Sequence, residues 1–177
     1  SERPDRCDLG EQENVVRFIR QRFPEMRGIA WYNGGYGNKS YGMDRNEEND
    51  RQHRAVLDNA DHLCLKYFVE PCLTFLQEAL WLSSDVDGGY ILNAAVSNIG
   101  AIDSGEVSLE FLLDGMPLDV QKAEKVPAGP NRNENRAIFK QPIFPEPGPH
   151  TAIARITSAP DATVLECKIS REIFIQP

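Results

Sequence analysis

The sequence lacks several features by which protein classes are recognised. No uninterrupted apolar run approaches the roughly 20 residues that a transmembrane helix needs. Basic residues are in the minority, with 19 Lys and Arg against 27 Asp and Glu, and the formal net charge is -8. Neither GxxxxGK[ST] nor GxGxxG occurs, so no phosphate-binding loop is predicted. We therefore expect no membrane span and no nucleic-acid partner.

Cysteine and histidine are also scarce. The four cysteines show neither CxxC spacing nor a histidine at zinc-site spacing, so no metal or other cofactor is predicted. These cysteines are Cys7, Cys64, Cys72 and Cys167. Their even number favours an oxidising compartment and leaves three disulfide pairings open. We therefore expect a secreted or extracytoplasmic protein, although residues 1–10 contain no signal-peptide pattern.

The first region, residues 1–84, shows mainly helical periodicity. Apolar residues recur at intervals of three and four from Val15 to Phe23 and predict a helix that ends before Pro24. Its polar face is predicted to be solvated and carries Arg17, Arg20 and Gln21. A second, longer helix is predicted from about residue 46 to residue 68, beyond a short apolar strand at 27–32 and a glycine-rich loop at 33–42.

Proline interrupts the longer helix. Pro71 lacks the amide hydrogen that an interior helix turn needs, so a kink or a new helix is expected there. The new helix would begin near Glu70 and end near Ser83. The apolar residues at positions 73, 76, 79 and 80 would form its inner stripe.

From residue 85 to residue 177 the hydrophobic period changes from about 3.6 to 2. Short strands are predicted at 90–98, 107–113, 116–120, 136–140, 150–157 and 164–175. Asp114-Gly115 provides a hairpin turn between the second and third strands. The predicted fold class is therefore α+β, with an N-terminal helical or partial α/β layer followed by an antiparallel immunoglobulin-like β-sandwich.

Three short motifs in the second region carry a resemblance to a known domain type. They are VSNIG at 96–100, DG at 114–115 and GPHTA at 148–152. In this pattern the chain resembles CARDB-type immunoglobulin-like domains, over about half of its length. The resemblance implies a sandwich fold and says little about function, because such sandwiches serve as spacers, adhesion modules and enzyme appendages.

The first region resembles the last β/α units of a glycoside-hydrolase (β/α)8 barrel. The likeness lies in FPEMRGIAWYN at 23–33, preceded by one helix and followed by another. In such enzymes an aromatic residue after the eighth strand forms a platform for a sugar ring, and Trp31 matches that position. A whole barrel needs about 250 residues and this chain has 177. The chain is then either the C-terminal piece of a longer enzyme or a helical layer with a sandwich.

The glycine-rich loop is the predicted ligand-binding site. Aromatic rings there would stack on sugar faces, and asparagine would supply hydrogen bonds. The predicted contact residues are Trp31, Tyr32, Asn33, Tyr36 and Tyr41. In the alternative interpretation, Trp31 and Tyr32 alternate across a strand, so that at least one of them belongs to the core.

No catalytic residue is predicted. Carboxylates cluster at residues 44–50, where the helix dipole explains acidic side chains more simply than catalysis does. The sequence therefore favours a noncatalytic appendage or binding region in carbohydrate processing, whose partner is a polysaccharide. The alternatives are a C-terminal fragment of a glycoside hydrolase, with its catalytic groups elsewhere, and a structural adhesion or assembly protein with a protein partner.

Overall fold

The computed structural model describes residues 9–26, 47–85, 89–129 and 133–176. The chain is an α+β protein with two compact units, Ser1–Phe68 and Val69–Pro177. The first unit contains two helices and the second is an antiparallel immunoglobulin-like sandwich, so the predicted fold class is confirmed. The predicted strand at 27–32 and the loop at 33–42 lie outside the described residues.

The first unit contains α1 (Leu9–Arg22) and α2 (Glu47–Cys64), which continues into a π-helical turn at Leu65–Val69. As predicted, α1 ends before Pro24. The helical backbone likewise ends before Pro71, because the proline ring clashes with a helical conformation in the preceding residue. The side chains buried in this unit include Val16, Ala60, Leu63, Tyr67 and Phe68.

Arg20 is buried, although the sequence pattern assigned it to a solvated face. Its side chain is only 1% exposed. Nε donates a hydrogen bond to the Tyr67 carbonyl at 2.9 Å, and Nη1 donates to the carbonyls of Pro24, at 3.1 Å, and Met26. The guanidinium carbon also lies 4.5 Å from the centroid of the Phe68 ring. Because arginine has five donors, it can satisfy carbonyls beyond the end of a helix, which helical periodicity alone does not reveal.

A second polar contact joins the two helical segments of this unit. Glu13 Oε1 accepts hydrogen bonds from Lys66 Nζ at 2.8 Å and from the Tyr67 hydroxyl at 2.6 Å. The bond from Lys66 lowers the pKa of Glu13, and the same bond raises the pKa of Lys66. Burial raises the pKa of Tyr67. The Tyr67 hydroxyl therefore stays protonated and donates a hydrogen bond to the Glu13 carboxylate.

The predicted helix at 70–83 is wrong. These residues form two strands, β1 (Cys72–Thr74) and β2 (Leu80–Ser84). Both pair antiparallel with one edge of β3 (Tyr90–Asn98). The spacing of the apolar residues in this segment fitted a helix. Pairing with β3 buries the same side chains, and such tertiary contacts override a local sequence pattern. Residues 72–84 thus belong to the second unit, whose boundary differs from the predicted division after residue 84.

The sandwich is completed by six further strands. They are β4 (Val107–Leu113), β5 (Met116–Ala123), β6 (Arg136–Ile143), β7 (Gly148–Ser158), β8 (Thr163–Val164) and β9 (Lys168–Ile175). The first four match predicted strands, whereas the single strand predicted at 164–175 is divided into β8 and β9. One sheet has the order β5-β4-β7-β9. In the other, β3 is central, with β6 along its free edge and β8 parallel to β1. The inner faces of both sheets form one core that includes Leu92, Val96, Leu109, Phe111, Phe139 and Ile175.

The described cysteines give no support for a disulfide. Cys64 and Cys167 carry free thiols, so the Cys64–Cys72 pairing that the sequence left open is not formed. Cys72 is fully buried on β1. Cys7 lies outside the described residues.

Candidate ligand-binding cleft

The five predicted contact residues cannot be placed in a site. Trp31, Tyr32, Asn33, Tyr36 and Tyr41 all lie outside the described residues, and their role stays a prediction. The same holds for the side chains of the acidic cluster at 44–50. The described part of the chain presents a different cleft, on the outer face of the sandwich.

Small side chains on β3 form the floor of this cleft. Because successive residues of a strand point to opposite faces, Ala95 and Ser97 lie on the face opposite to Ala94 and Val96, and both line the cleft. Ala95 is 4% exposed and Ser97 3% exposed, so both lie deep in the cleft rather than on an open sheet surface. Their small size leaves space above the strand.

Larger side chains on the two flanking strands form the walls. On β2, Trp81 lies opposite Asn93 of β3, and on β6, Arg136 lies opposite Ser97 of β3. Trp81 and Arg136 are both half-buried. The cleft between them has a volume of about 260 Å³. Its rim is completed by Leu76, Gln77, Glu78 and Asn133.

The rim is held in place by backbone hydrogen bonds. The Ala95 N–H donates to the Ala79 carbonyl at 2.8 Å, and the Ala79 N–H donates to the Leu76 carbonyl at 3.1 Å. Glu78 has a φ of 63°, a left-handed conformation that costs a non-glycine residue free energy. The turn that carries Gln77 and Glu78 is therefore fixed above the floor of the cleft.

A buried amide supports the wall that carries Trp81. Asn93 Nδ2 donates to Ser83 Oγ at 3.0 Å and to the Ile91 carbonyl at 2.9 Å. Asn93 is 4% exposed and lies directly opposite Trp81. It ties β2 to β3 next to Trp81 and so holds the strand that carries the indole.

The residues in this cleft fit binding better than catalysis. Glycoside hydrolysis requires two carboxyl groups across the scissile bond, whereas Glu78 is the one carboxylate that lines the described cleft. Within the described ranges, no group of three or more His, Cys, Asp or Glu side chains could hold a metal ion. An indole, a guanidinium and two amides are instead suited to stacking and hydrogen bonding.

The residues of the VSNIG motif have a structural role. Asn98 is fully buried, and its Oδ1 accepts hydrogen bonds from the N–H groups of Cys72 at 3.1 Å and Gly100 at 3.0 Å. Its Nδ2 donates to the carbonyls of Ile102 at 2.8 Å and Val126 at 3.2 Å. One amide thereby satisfies four backbone groups at the end of β3.

The DG and GPHTA motifs meet in the β5-β4-β7-β9 sheet, at the turn between β4 and β5. Asp114 and Gly115 have φ values of 51° and 81°, as a two-residue type I′ hairpin turn requires. Asp114 Oδ2 lies 2.7 Å from His150 Nδ1, and Oδ1 accepts the Thr151 N–H at 2.8 Å. His150 Nε2 lies 2.7 Å from the Glu146 carbonyl. Both ring nitrogens thus face acceptors, an arrangement that only the imidazolium satisfies fully.

The His150 contact is expected to make stability depend on pH. The hydrogen bond with Asp114 raises the pKa of His150 and lowers that of Asp114. Stability from His150 is present below its unfolded-state pKa and is lost as pH rises through the folded-state value. Stability from Asp114 is lost as pH falls through its lowered pKa. Urea unfolding from pH 5 to pH 9 should show a loss of stability in the wild type that is smaller in His150→Gln. Equal pH dependence in both proteins would contradict the imidazolium contact.

Several solved structures are similar in backbone to part of this chain. No protein-family model and no curated protein matches the sequence. Among solved structures, the CARDB domain of the PF1109 protein from Pyrococcus furiosus, in complex with di-metal ions, aligns with 61% of this chain and 90% of its own at 11% identity and a TM-score of 0.47. The chain is similar in fold to CARDB domains.

Two further structures show the same kind of likeness. The 272-376 domain of a putative cell surface protein from Methanosarcina acetivorans matches 61% of this chain and 92% of its own, at 13% identity and a TM-score of 0.40. A GH2 beta-galacturonidase from Eisenbergiella tayi matches 61% of this chain but only 19% of its own, at 13% identity and a TM-score of 0.40. At these identities the likeness is one of backbone fold.

The sequence pattern missed the cleft because its two walls lie far apart in the chain. Trp81 was assigned to a helix, and Arg136 stood at the start of a predicted strand without a partner. The register of β2 and β6 on β3 brings both to one face. The small residues Ala95 and Ser97 at alternate positions of a long strand were the one local signal of a cleft.

Proposed function

We propose that the chain is a noncatalytic binding region associated with carbohydrate processing, and that it contacts glycan through aromatic side chains. The observation that carries this proposal is the cleft between Trp81 and Arg136. A sugar ring has an apolar face that can lie on an indole, and hydroxyl groups that need donors and acceptors. Gln77 and Asn133 offer both kinds of partner at the rim.

The glycine-rich loop is proposed as a second set of glycan contacts. Its residues Trp31, Tyr32, Asn33, Tyr36 and Tyr41 repeat the combination of aromatic rings and an amide found in the cleft. The proposal includes an extracytoplasmic location, where polysaccharides are met. Of the described helices, none has the length and apolar character to cross a membrane.

Replacing Trp81 by alanine is expected to weaken glycan binding about tenfold or more, because the indole is the one aromatic ring among the described residues that line the cleft. Ligands would first be identified on an array of plant and microbial polysaccharides. Binding of the best oligosaccharide would then be measured by isothermal titration calorimetry. Circular dichroism would verify that the variant is folded.

Phe174→Ala is the matched control. Phe174 is 66% exposed on β9, on the other sheet, so its removal also deletes a surface aromatic ring but should leave binding unchanged. Trp31→Ala tests the loop separately. Equal affinity of the wild type and Trp81→Ala would remove the cleft from the proposal. Absence of binding to the whole array by the folded wild type would contradict the proposed function.

Exposed apolar side chains favour a second candidate, the terminal part of a glycoside hydrolase. In the first unit, Val15, Phe18, Leu57 and Leu65 are 45%, 64%, 47% and 53% exposed. Clusters of exposed apolar side chains mark surfaces that other protein covers. The array distinguishes the two candidates, because a terminal piece whose sugar subsites are completed elsewhere should bind no glycan by itself.

A further inference from the structure

We infer that the glycan bound in the Trp81 cleft carries a carboxylate group, as a uronic acid does, and that Arg136 binds this carboxylate. The inference rests on the proposed function and adds the chemical class of the ligand. Its basis is the position of one half-buried cation in a cleft that already presents a stacking surface.

Arg136 differs from the other described arginines of the sandwich. Arg155 pairs with Glu110, and Arg171 Nη1 donates to the Leu80 carbonyl at 2.8 Å. Among the residues that the structure describes, Arg136 forms no ion pair or hydrogen bond through its guanidinium. A partly buried charge without a partner loses hydration and gains nothing in return, so an anionic ligand is favoured there.

The guanidinium geometry selects among anions. Its planar fork matches the two oxygens of a carboxylate and donates two parallel hydrogen bonds. The volume of about 260 Å³ lies below the range of about 300 to 1,000 Å³ typical of small-molecule sites, so one or two sugar residues fit. A sugar that bears a carboxylate satisfies Arg136 and Trp81 together.

Glu78 does not neutralise Arg136. Glu78 lines the same cleft, but its carboxylate lies more than 4.0 Å from the Arg136 guanidinium and forms no ion pair with it. The Glu78 side chain is exposed at the rim. There it can accept hydrogen bonds from sugar hydroxyl groups. The net charge of -8 repels anions at long range, so any preference for an acidic sugar must come from the local contact.

The test compares two forms of one ligand. An oligouronate, prepared from alginate or from pectin, is titrated into the wild-type chain beside the same oligosaccharide with its carboxyl groups reduced to alcohols. We expect the acidic form to bind about tenfold or more tightly, since a hydrogen-bonded charge pair is being added. In Arg136→Gln this preference should vanish, because the acidic form loses more affinity than the reduced form. Arg136→Lys, which keeps the charge but loses the fork, should retain part of it.

The outcomes separate this inference from the proposed function. Equal binding of both forms to the wild type, or a preference that survives in Arg136→Gln, would overturn the carboxylate contact and leave glycan binding intact. Failure of every array glycan to bind the folded wild type would instead overturn the proposed function itself. Preference for the acidic form that is lost in Arg136→Gln but kept in Phe174→Ala would support the inference.

Discussion

Replacing Asn98 by alanine is expected to lower the free energy of unfolding of the sandwich by about 4 kcal/mol. The amide of Asn98 satisfies two N–H groups and two carbonyls at the end of β3. Each buried backbone group left without a partner costs about 1 to 3 kcal/mol. Alanine would leave the N–H groups of Cys72 and Gly100 and the Ile102 carbonyl without this partner, whereas the Val126 carbonyl keeps the hydrogen bond from the Ser104 N–H. Urea unfolding of the full chain, followed by circular dichroism, would measure the change.

Asn93→Ala is the matched control for this variant. Asn93 is nearly as buried as Asn98, but its amide donates to a serine hydroxyl and to carbonyls within neighbouring strands. We therefore expect a loss of about 1 kcal/mol. A loss of that size in Asn98→Ala as well would show that solvent or local shifts replace the four bonds, and that the amide does not organise this end of the sandwich.

The parts of the fold that were predicted correctly rest on local chemistry. The β4–β5 hairpin follows from Asp114-Gly115, because two successive left-handed residues select one turn type. Most strands from residue 90 onward follow from the period of about 2 in the apolar residues and from the turn residues between them. The prediction for residues 72–84 was wrong because the spacing of their apolar residues fits both the helical and the strand period. Only the pairing of this segment with β3 decides between a helix and strands.

The candidate site was less predictable than the fold. A cleft with an indole in one wall and an arginine in the other depends on the register of three strands, and Trp81 and Arg136 show no special spacing in the sequence. Arg20 shows the converse, because a charged residue that was predicted to be solvated is buried and bonds both to the distant Tyr67 carbonyl and to the nearby Pro24 carbonyl. Residue type and spacing therefore pointed to motifs that stabilise the sandwich, namely Asn98 and the Asp114–His150 contact. They did not point to the cleft.

Replacing Gly100 by alanine is expected to cost about 3 kcal/mol, because its position leaves no room for a side chain. An added Cβ would lie 2.0 Å from the Glu70 carbonyl oxygen and 3.0 Å from the Cys72 nitrogen. Both atoms are backbone, so no rotamer change relieves the contact. The neighbouring Ala101 N–H donates to the Val69 carbonyl at 3.0 Å, and movement of the chain away from Glu70 would break such bonds.

Gly115→Ala provides the contrast that tests this explanation. An alanine Cβ at Gly115 would meet nothing within 4 Å, but the φ of 81° is unfavourable for any residue with a Cβ. The expected loss is about 1 kcal/mol, from conformation alone. Urea unfolding of both variants, followed by circular dichroism, would give the two values. If Gly100→Ala proved no more destabilising than Gly115→Ala, the close approach of residue 100 to the segment before β1 would not constrain the fold. Since Gly100 also donates to Asn98, the Gly100→Ala and Asn98→Ala losses should be less than additive in the double variant.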